Sequence, residues 1–423
     1  MTPLPLSLLP DSALVDAQGR LRIGGCDLLE LAAEYGTPLF VYDEAHLRAR
    51  CREAVAAFGD DVAYASKAFL CKAMARLAHE EGMRIDVATG GELHVALAAG
   101  VPASRLVLHG NNKSEAELAR ALAARVGLIV IDSLDELRRI EQLVTSDGYT
   151  VPRVMVRVTP GVEAHTHEFV RTGQDDSKFG FTLSTGAAAE AVKLARESPA
   201  VELVGIHMHI GSQVFVADFF RQAVDAVAPF LTSLDLPELS IGGGVGVAYV
   251  EGERAPTITE WGDAVHAAVA ESGITARVSA EPGRSIAASG AVTLYTVGTV
   301  KELPGIRTYV AVDGGMSDNP RPVLYGSGYE AFLPREVAAD RPFVATVVGK
   351  HCESGDVLVR DARLPADLAV GDILATPVTG AYGHSMGSNY NKVTRPAVVF
   401  VADGDARLVV RRESDDDLLR LDL

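Results

Sequence analysis

A chain of 423 residues, 48% hydrophobic and 22% charged, has room for a large core plus a second domain and is neither disordered nor low-complexity. Its formal charge of -17 argues against nucleic acid or an anionic membrane surface as a partner, although a local arginine cluster would still hold an anionic small molecule. Met1–Asp11 is broken by prolines and lacks a basic flank, so it reads as a poor signal peptide, and no later apolar run is long enough to span a bilayer. Cys26, Cys51, Cys71 and Cys352 have no metal-like spacing and read as free thiols in a reducing cytoplasm.

Residues 1 to 36 are mixed and punctuated by glycine, with Arg20–Ile23 as an expected strand. Thr37–Tyr42 is a second extended run, and 44–58 is an amphipathic helix. Apolar, β-prone runs then recur at Val62–Ala65, Arg84–Val87, Arg105–Leu108, Leu128–Ile131, Val154–Val158, Leu203–His207, Glu238–Ile241 and Arg277–Ala280. Helical stretches at 91–99, 114–124, 133–143, 186–197, 217–231 and 259–271 lie between them. Strands that alternate with helices in this way predict a (β/α)8 barrel. A doubly wound open sheet is the rival, but it more often carries a Gly-rich turn after its first strand, and here the richest glycine runs come late. After Ser289 the runs Val292–Val297, Thr308–Val312, Phe343–Val348, Ile373–Ala375 and Pro396–Val401 have no clear helices between them and predict a separate all-β domain.

Tyr64-Ala65-Ser66-Lys67-Ala68 places a lone lysine where the first short buried strand ends. A desolvated lysine loses its proton more readily and becomes a nucleophile able to form a Schiff base. A solvated strand-end lysine is the plainer alternative, and the pentapeptide alone favours it.

Barrels carry their working residues at the C-terminal ends of strands. Here those positions hold Lys67, Asp86 with Thr89-Gly90-Gly91-Glu92, His109, Arg157, His207 through Gln213, Gly242-Gly243-Gly244-Val245-Gly246, and Glu281-Pro282-Gly283-Arg284. The last two stretches suit a phosphate, because glycine lets the backbone approach an oxyanion. Taken singly, each also suits a tight turn, and Pro282-Gly283 fits type II. The glycine run lacks the context of a dinucleotide fingerprint, so a nicotinamide cofactor is weakly supported. His207 and His209 share a strand face and would suit a metal-dependent hydrolase. His109, His165 and His167 form no clean ligand set with Asp86, however, and no metal is expected. A lysine, a phosphate cradle and a carboxylate on one rim point instead to pyridoxal 5'-phosphate. The lysine holds it as an imine, the glycines hold its phosphate, and an acid keeps its pyridine nitrogen protonated.

Seven motifs sharpen this reading: Tyr64-Ala65-Ser66-Lys67-Ala68, Gly90-Gly91-Glu92-Leu93, His109-Gly110-Asn111-Asn112-Lys113-Ser114, His209-Ile210-Gly211-Ser212-Gln213, Glu281-Pro282-Gly283-Arg284, Cys352-Glu353-Ser354-Gly355-Asp356 and Gly380-Ala381-Tyr382-Gly383. With them the chain resembles, over nearly its whole length, the fold-type III pyridoxal-phosphate-dependent decarboxylases. The resemblance implies an alanine racemase-like architecture, with a cofactor-binding barrel over 37–290 and a β domain built from 1–36 and 291–423. It implies that Lys67 carries the cofactor, that His209 stacks on its ring and that Glu281 pairs with its pyridine nitrogen. Ser212, Gly244, Pro282, Gly283 and Arg284 would hold the phosphate side. Arg284, Arg321 and Tyr325 would bind substrate carboxylate, Glu353 a distal ammonium, and Tyr382 both cofactor and substrate. Cys352 would reprotonate the carbanion, reaching the site from the second subunit of a head-to-tail homodimer.

The implied activity is decarboxylation of meso-diaminopimelate to L-lysine in the cytoplasm. Another amino acid or a carrier-bound acyl group is the alternative within the family. A non-catalytic pyridoxal-phosphate-binding protein is the alternative outside it, and such proteins resemble the barrel alone.

Overall fold

The computed structural model describes residues 4–162 and 174–423, so His165 and His167 lie outside the described residues. The chain forms two compact units. The barrel unit comprises Arg50–Val247 and Ala255–Ser285; the second comprises Met1–Ala49, Ala248–Arg254 and Ile286–Leu423.

The barrel strands are Ala63–Ala65, Arg84–Val87, Leu106–Leu108, Leu128–Ile131, Arg153–Thr159, Glu202–Met208, Glu238–Ser240 and Arg277–Ser279, each parallel to the next in that order. The first and last strands close on each other. Ala63 N donates to Ala280 O at 2.9 Å, and Ala65 N to Pro282 O at 3.1 Å. That closure rules out the open doubly wound sheet. Parallel strands covered on both faces must be apolar throughout, which is why they read as short continuous runs. Ala63, Val107, Leu128, Val130, Met155 and Val204 form one buried cluster drawn from five of these strands.

The covering helices start where the sequence supplies a cap. Thr89, Ser114, Ser133 and Thr257 each accept a backbone N–H through the side chain, and at Ser114 and Thr257 a glutamate three residues on completes a capping box. Phe58 and Phe220 pack against the buried Trp261 with ring centroids 4.8 and 5.3 Å away.

In the second unit the sheet runs Val357–Leu364, Phe343–Val348, Arg307–Val312, Ala291–Leu303, Leu39–Asp43, Ala397–Ala402, Asp405–Val410, with Ile373–Pro377 also paired to Ala291–Leu303. The Ala291–Leu303 strand is long enough to serve two sets of neighbours. Its first half pairs with Leu39–Asp43 and Ile373–Pro377, its second with Arg307–Val312.

The expected barrel opens at residue 37, but Leu39–Asp43 belongs to this sheet. It pairs antiparallel with Ala291–Leu294 and parallel with Ala397–Val401. The strands at Leu14–Val15, Leu21–Ile23 and Cys26–Asp27 form their own small sheet. The helix Leu28–Tyr35, capped by Asp27, stands where no helix was expected. Among the described residues, no helix is long and apolar enough to cross a membrane.

Candidate active site

Lys67 follows the first barrel strand in the single helical turn Ser66–Ala68. Ser66 and Ala68 are buried, but Lys67 is exposed. The expected desolvated lysine is therefore not what the structure shows. The strand has ended by residue 65, so the side chain stands on the open rim instead of between strands. Asp86, at the end of the second strand, still feels its charge, as does His209.

The buried centre of the rim is Glu281. Its Oε1 accepts from Ser240 Oγ at 3.0 Å, its Oε2 from His207 Nε2 at 2.9 Å, and His109 Nε2 lies 3.1 Å from Oε1. Burial alone would raise the pKa of this carboxyl, but the two imidazoles outweigh burial and hold it well below the usual range. His207 is lowered as well, but there burial prevails and pushes it down to about 4 despite the neighbouring carboxylate. Burial works against charge on His109 too, yet Asp86 at 3.8 Å and Glu281 prevail and raise its pKa. Asp86 itself is raised, mainly by burial.

His109, His207 and Glu281 each offer one ligand atom, all within 4.8 Å of one another. The set includes His207 but not His209, the other histidine weighed with it from the sequence. His209 lies beyond the end of the Glu202–Met208 strand, where its Nδ1 accepts from Gly243 N at 3.2 Å. Burial, then Lys67 and Arg157, hold the His209 imidazole well below its ordinary pKa.

Ser212 and Arg284 are brought together directly, with Arg284 Nη2 donating to Ser212 Oγ at 2.8 Å. The glycines around them are sterically required. A Cβ on Gly243 would sit 2.2 Å from Glu281 O, and one on Gly244, at φ +124°, would sit 2.2 Å from Gly211 O. Gly283 lies outside the left-handed region, so Pro282-Gly283 is not the type II turn its residues suggest. Gly283 is required for a different reason: a Cβ there would lie 2.8 Å from Ala65 O, beside the lysine turn.

Several residues to which sequence reasoning gave no role support this rim. Arg157 lies 3.5 Å from Asp132 and 4.4 Å above the Phe179 ring. Asp132 accepts from Gly180 N, and Asp132 N donates to Glu136. Glu136 in turn pairs with the buried Lys113 at 2.8 Å, whose Nζ also donates to Gly110 O and Val130 O. The signal was in the sequence, since Lys113 closes the His109-Gly110-Asn111-Asn112-Lys113 motif. Nothing local, however, says that Glu136 meets it.

The remaining expected residues lie in the second unit. Arg321 and Tyr325 are the two ends of one five-residue helix. Arg321 is buried, donates from Nη1 to Tyr329 Oη at 2.7 Å, and has its guanidinium carbon 4.1 Å above the Tyr249 ring. Its Nε has no partner among the described residues. Cys352 and Glu353 are exposed. Their loop is held from behind by the buried Asp356, which accepts from His351 N at 2.9 Å, His351 Nδ1 at 2.8 Å and Met316 N at 2.7 Å. Tyr382 is half-buried at φ +59°, a left-handed conformation that is costly for an aromatic residue.

These residues fit pyridoxal phosphate. An amine, an ionised carboxylate and a glycine-walled turn beside a serine–arginine pair form the donor set that group needs. Ser66 Oγ and Ser285 Oγ are buried without a partner among the described residues, leaving one hydroxyl just before Lys67 and another two residues after Gly283 in the chain.

Residues 44–288 match the family model "Pyridoxal-dependent decarboxylase, pyridoxal binding domain". The chain is 46% identical to the diaminopimelate decarboxylase of Mycobacterium tuberculosis H37Rv, with 98% of this chain and 97% of that one covered. It is also 46% identical to the diaminopimelate decarboxylase of Bacillus subtilis, covering 96% and 95%. A crystal structure of the M. jannaschii diaminopimelate decarboxylase in complex with L-lysine matches with a TM-score of 0.90 at 32% identity, over 98% of both chains.

Proposed function

The chain belongs to the diaminopimelate decarboxylases of the pyridoxal-dependent decarboxylase family, and from that premise we propose that it converts meso-2,6-diaminopimelate to L-lysine and carbon dioxide in the cytoplasm, as the last step of lysine biosynthesis. The observation that carries this reading is the convergence on one barrel rim of Lys67, the ionised Glu281 and the Arg284–Ser212 pair.

Lys67 would hold pyridoxal phosphate covalently, and when bound the group would supply a sink for the electrons released on decarboxylation. Glu281 would pair with the ring nitrogen and keep it protonated, and His209, neutral and hydrogen-bonded to Gly243, would pack on the ring. Ser212, Gly244, Pro282, Gly283 and Arg284 hold the phosphate. Arg284, Arg321 and Tyr325 bind substrate carboxylates, with the planar guanidiniums presenting paired donors. Glu353 accepts from the distal ammonium, and Tyr382 borders both cofactor and substrate. The Cys352 thiol delivers the proton to the reacting carbon.

The exposure of Cys352 and Glu353 supports a homodimer in which these two residues complete the partner's site. The full-length match to the curated relatives, second unit included, supports the decarboxylase over a cofactor-binding barrel alone. Carbon dioxide release from a panel of amino acids tests the assignment. Release from meso-diaminopimelate far faster than from lysine or ornithine is expected, and comparable turnover of ornithine would refute the substrate.

A further inference from the structure

We propose that His207 is a positioning residue for Glu281, holding the carboxylate by Oε2 so that a remaining acceptor site is left for the ring nitrogen of the cofactor. The proposal rests on the reading of Glu281 given above and extends it to a residue that reading does not use.

The argument is a count of lone pairs. An ionised carboxylate has about four acceptor sites. Ser240 Oγ and His207 Nε2 occupy two at 3.0 and 2.9 Å, and His109 Nε2 faces a third at 3.1 Å. These contacts come from the seventh, sixth and third barrel strands or their ends, so the carboxylate is gripped from separate elements and has little freedom to rotate. Among them His207 is the one bonded to Oε2, and its Nδ1 is buried without a partner among the described residues. The ring therefore offers Glu281 a donor and makes no competing bond. Burial disfavours a charged imidazole here, so His207 acts as a neutral donor and Glu281 keeps its negative charge. His109 packs edge-on against His207, with ring centroids 4.8 Å apart, and limits how far that ring can tilt.

The test compares His207→Leu, which removes the donor, with His207→Gln, whose amide nitrogen reaches about as far as Nε2. A hydrogen bond to a charged group is worth enough for about a tenfold effect or more. His207→Leu should lower kcat by about tenfold while KM stays within about twofold, because the lost contact is to Glu281, which serves the cofactor, and not to the substrate. It should also speed cofactor loss on dilution, followed by the decay of the visible band. His207→Gln should restore both. In a Glu281→Gln background, His207→Leu should cause little further loss, since it works through the residue already changed. If His207→Leu does not fold, His207→Asn, whose amide stops short of Oε2, takes its place with the same expectations.

Equal behaviour of the Leu and Gln variants, or losses that multiply in the double variant, would overturn the proposal. Glu281→Gln with unchanged kcat would instead sink the reading of Glu281 itself. A damaged Glu281→Gln beside an undamaged His207→Leu would remove only the inference.

Discussion

The two units treat their functional groups in opposite ways. In the barrel, apart from the exposed Lys67, the charged residues of the rim are buried and already hydrogen-bonded within the unit: Glu281 to His207 and Ser240, Arg284 to Ser212, Lys113 to Glu136. In the second unit Cys352 and Glu353 are exposed, and what is buried is the scaffold behind them, Asp356 with its three N–H donors. A charge that tunes a cofactor must be desolvated to be effective, and desolvation has to be compensated by partners within the same fold. A thiol that meets a substrate must remain reachable, so only its backbone is held. The barrel thus encloses its charged groups, while the second unit leaves Cys352 and Glu353 open to solvent.

The largest effect should come from the barrel side. Lys67→Ala removes the only amine placed on the first-strand turn, and Lys72 lies on the following helix, Lys72–Glu80. The purified protein should lose its borohydride-sensitive visible band, and activity should fall by roughly a thousandfold or more. A variant that keeps the band would break the barrel half of the comparison.

The other half is tested by mixing. Lys67→Ala and Cys352→Ala chains, each inactive alone, should regain about a quarter of full activity under subunit exchange, because random pairing leaves one intact site in half of the dimers. No recovery would mean that the exposed loop of the second unit does not serve a partner.

Arg321 is the exception that sharpens the contrast, being a buried cation in the second unit. Lysine and ornithine have no distal carboxylate to pair with it, and a preference of roughly a hundredfold for meso-diaminopimelate is expected. Arg321→Ala should shrink that ratio by slowing meso-diaminopimelate alone. An unchanged ratio would assign selectivity elsewhere.

The smallest expected effect concerns Asp318, on the loop before Arg321, which accepts from Tyr295 Oη at 2.5 Å and from Gly315 N at 2.8 Å. Burial outweighs both hydrogen bonds and pushes its carboxyl up from 3.8 to about 7. Since the folded value lies above the unfolded one, its contribution is fully present below pH 3.8 and is lost as pH rises through about 7. Asp318→Asn loses an acceptor at every pH but escapes that loss. The stability difference between the two proteins should therefore shift by a few kcal/mol, to order of magnitude, in favour of the variant as pH rises across this window. Chemical unfolding at a series of pH values reads it, and parallel curves would deny Asp318 the role.

The sequence carried the barrel well because parallel strands covered on both faces leave apolar runs that need no long-range information. It misplaced Leu39–Asp43 because that strand looks like any other until its partners Ala291–Leu294 and Ala397–Val401 are known. At the site, Lys67 and Glu281 were legible as motif residues at strand ends. The exposure of Lys67 was not, since it depends on the strand stopping at Ala65. Nor was the grip of His109 and His207 on Glu281 legible, because three strands must close into a ring before those atoms meet. The Arg321–Tyr325 helix escaped notice because Pro320 and Pro322 disguise so short an element as a loop.

The placement of Leu39–Asp43 also sets an order of events on the ribosome. All five of its residues are buried in the finished sheet, and every barrel strand is synthesised before either partner of this segment. The nascent chain must therefore carry a naked apolar strand throughout barrel synthesis, an edge of the kind that recruits neighbouring chains. Fragments cut just after the barrel would keep that liability permanently, so a barrel meant to stand alone should be started after Asp43 and not before it.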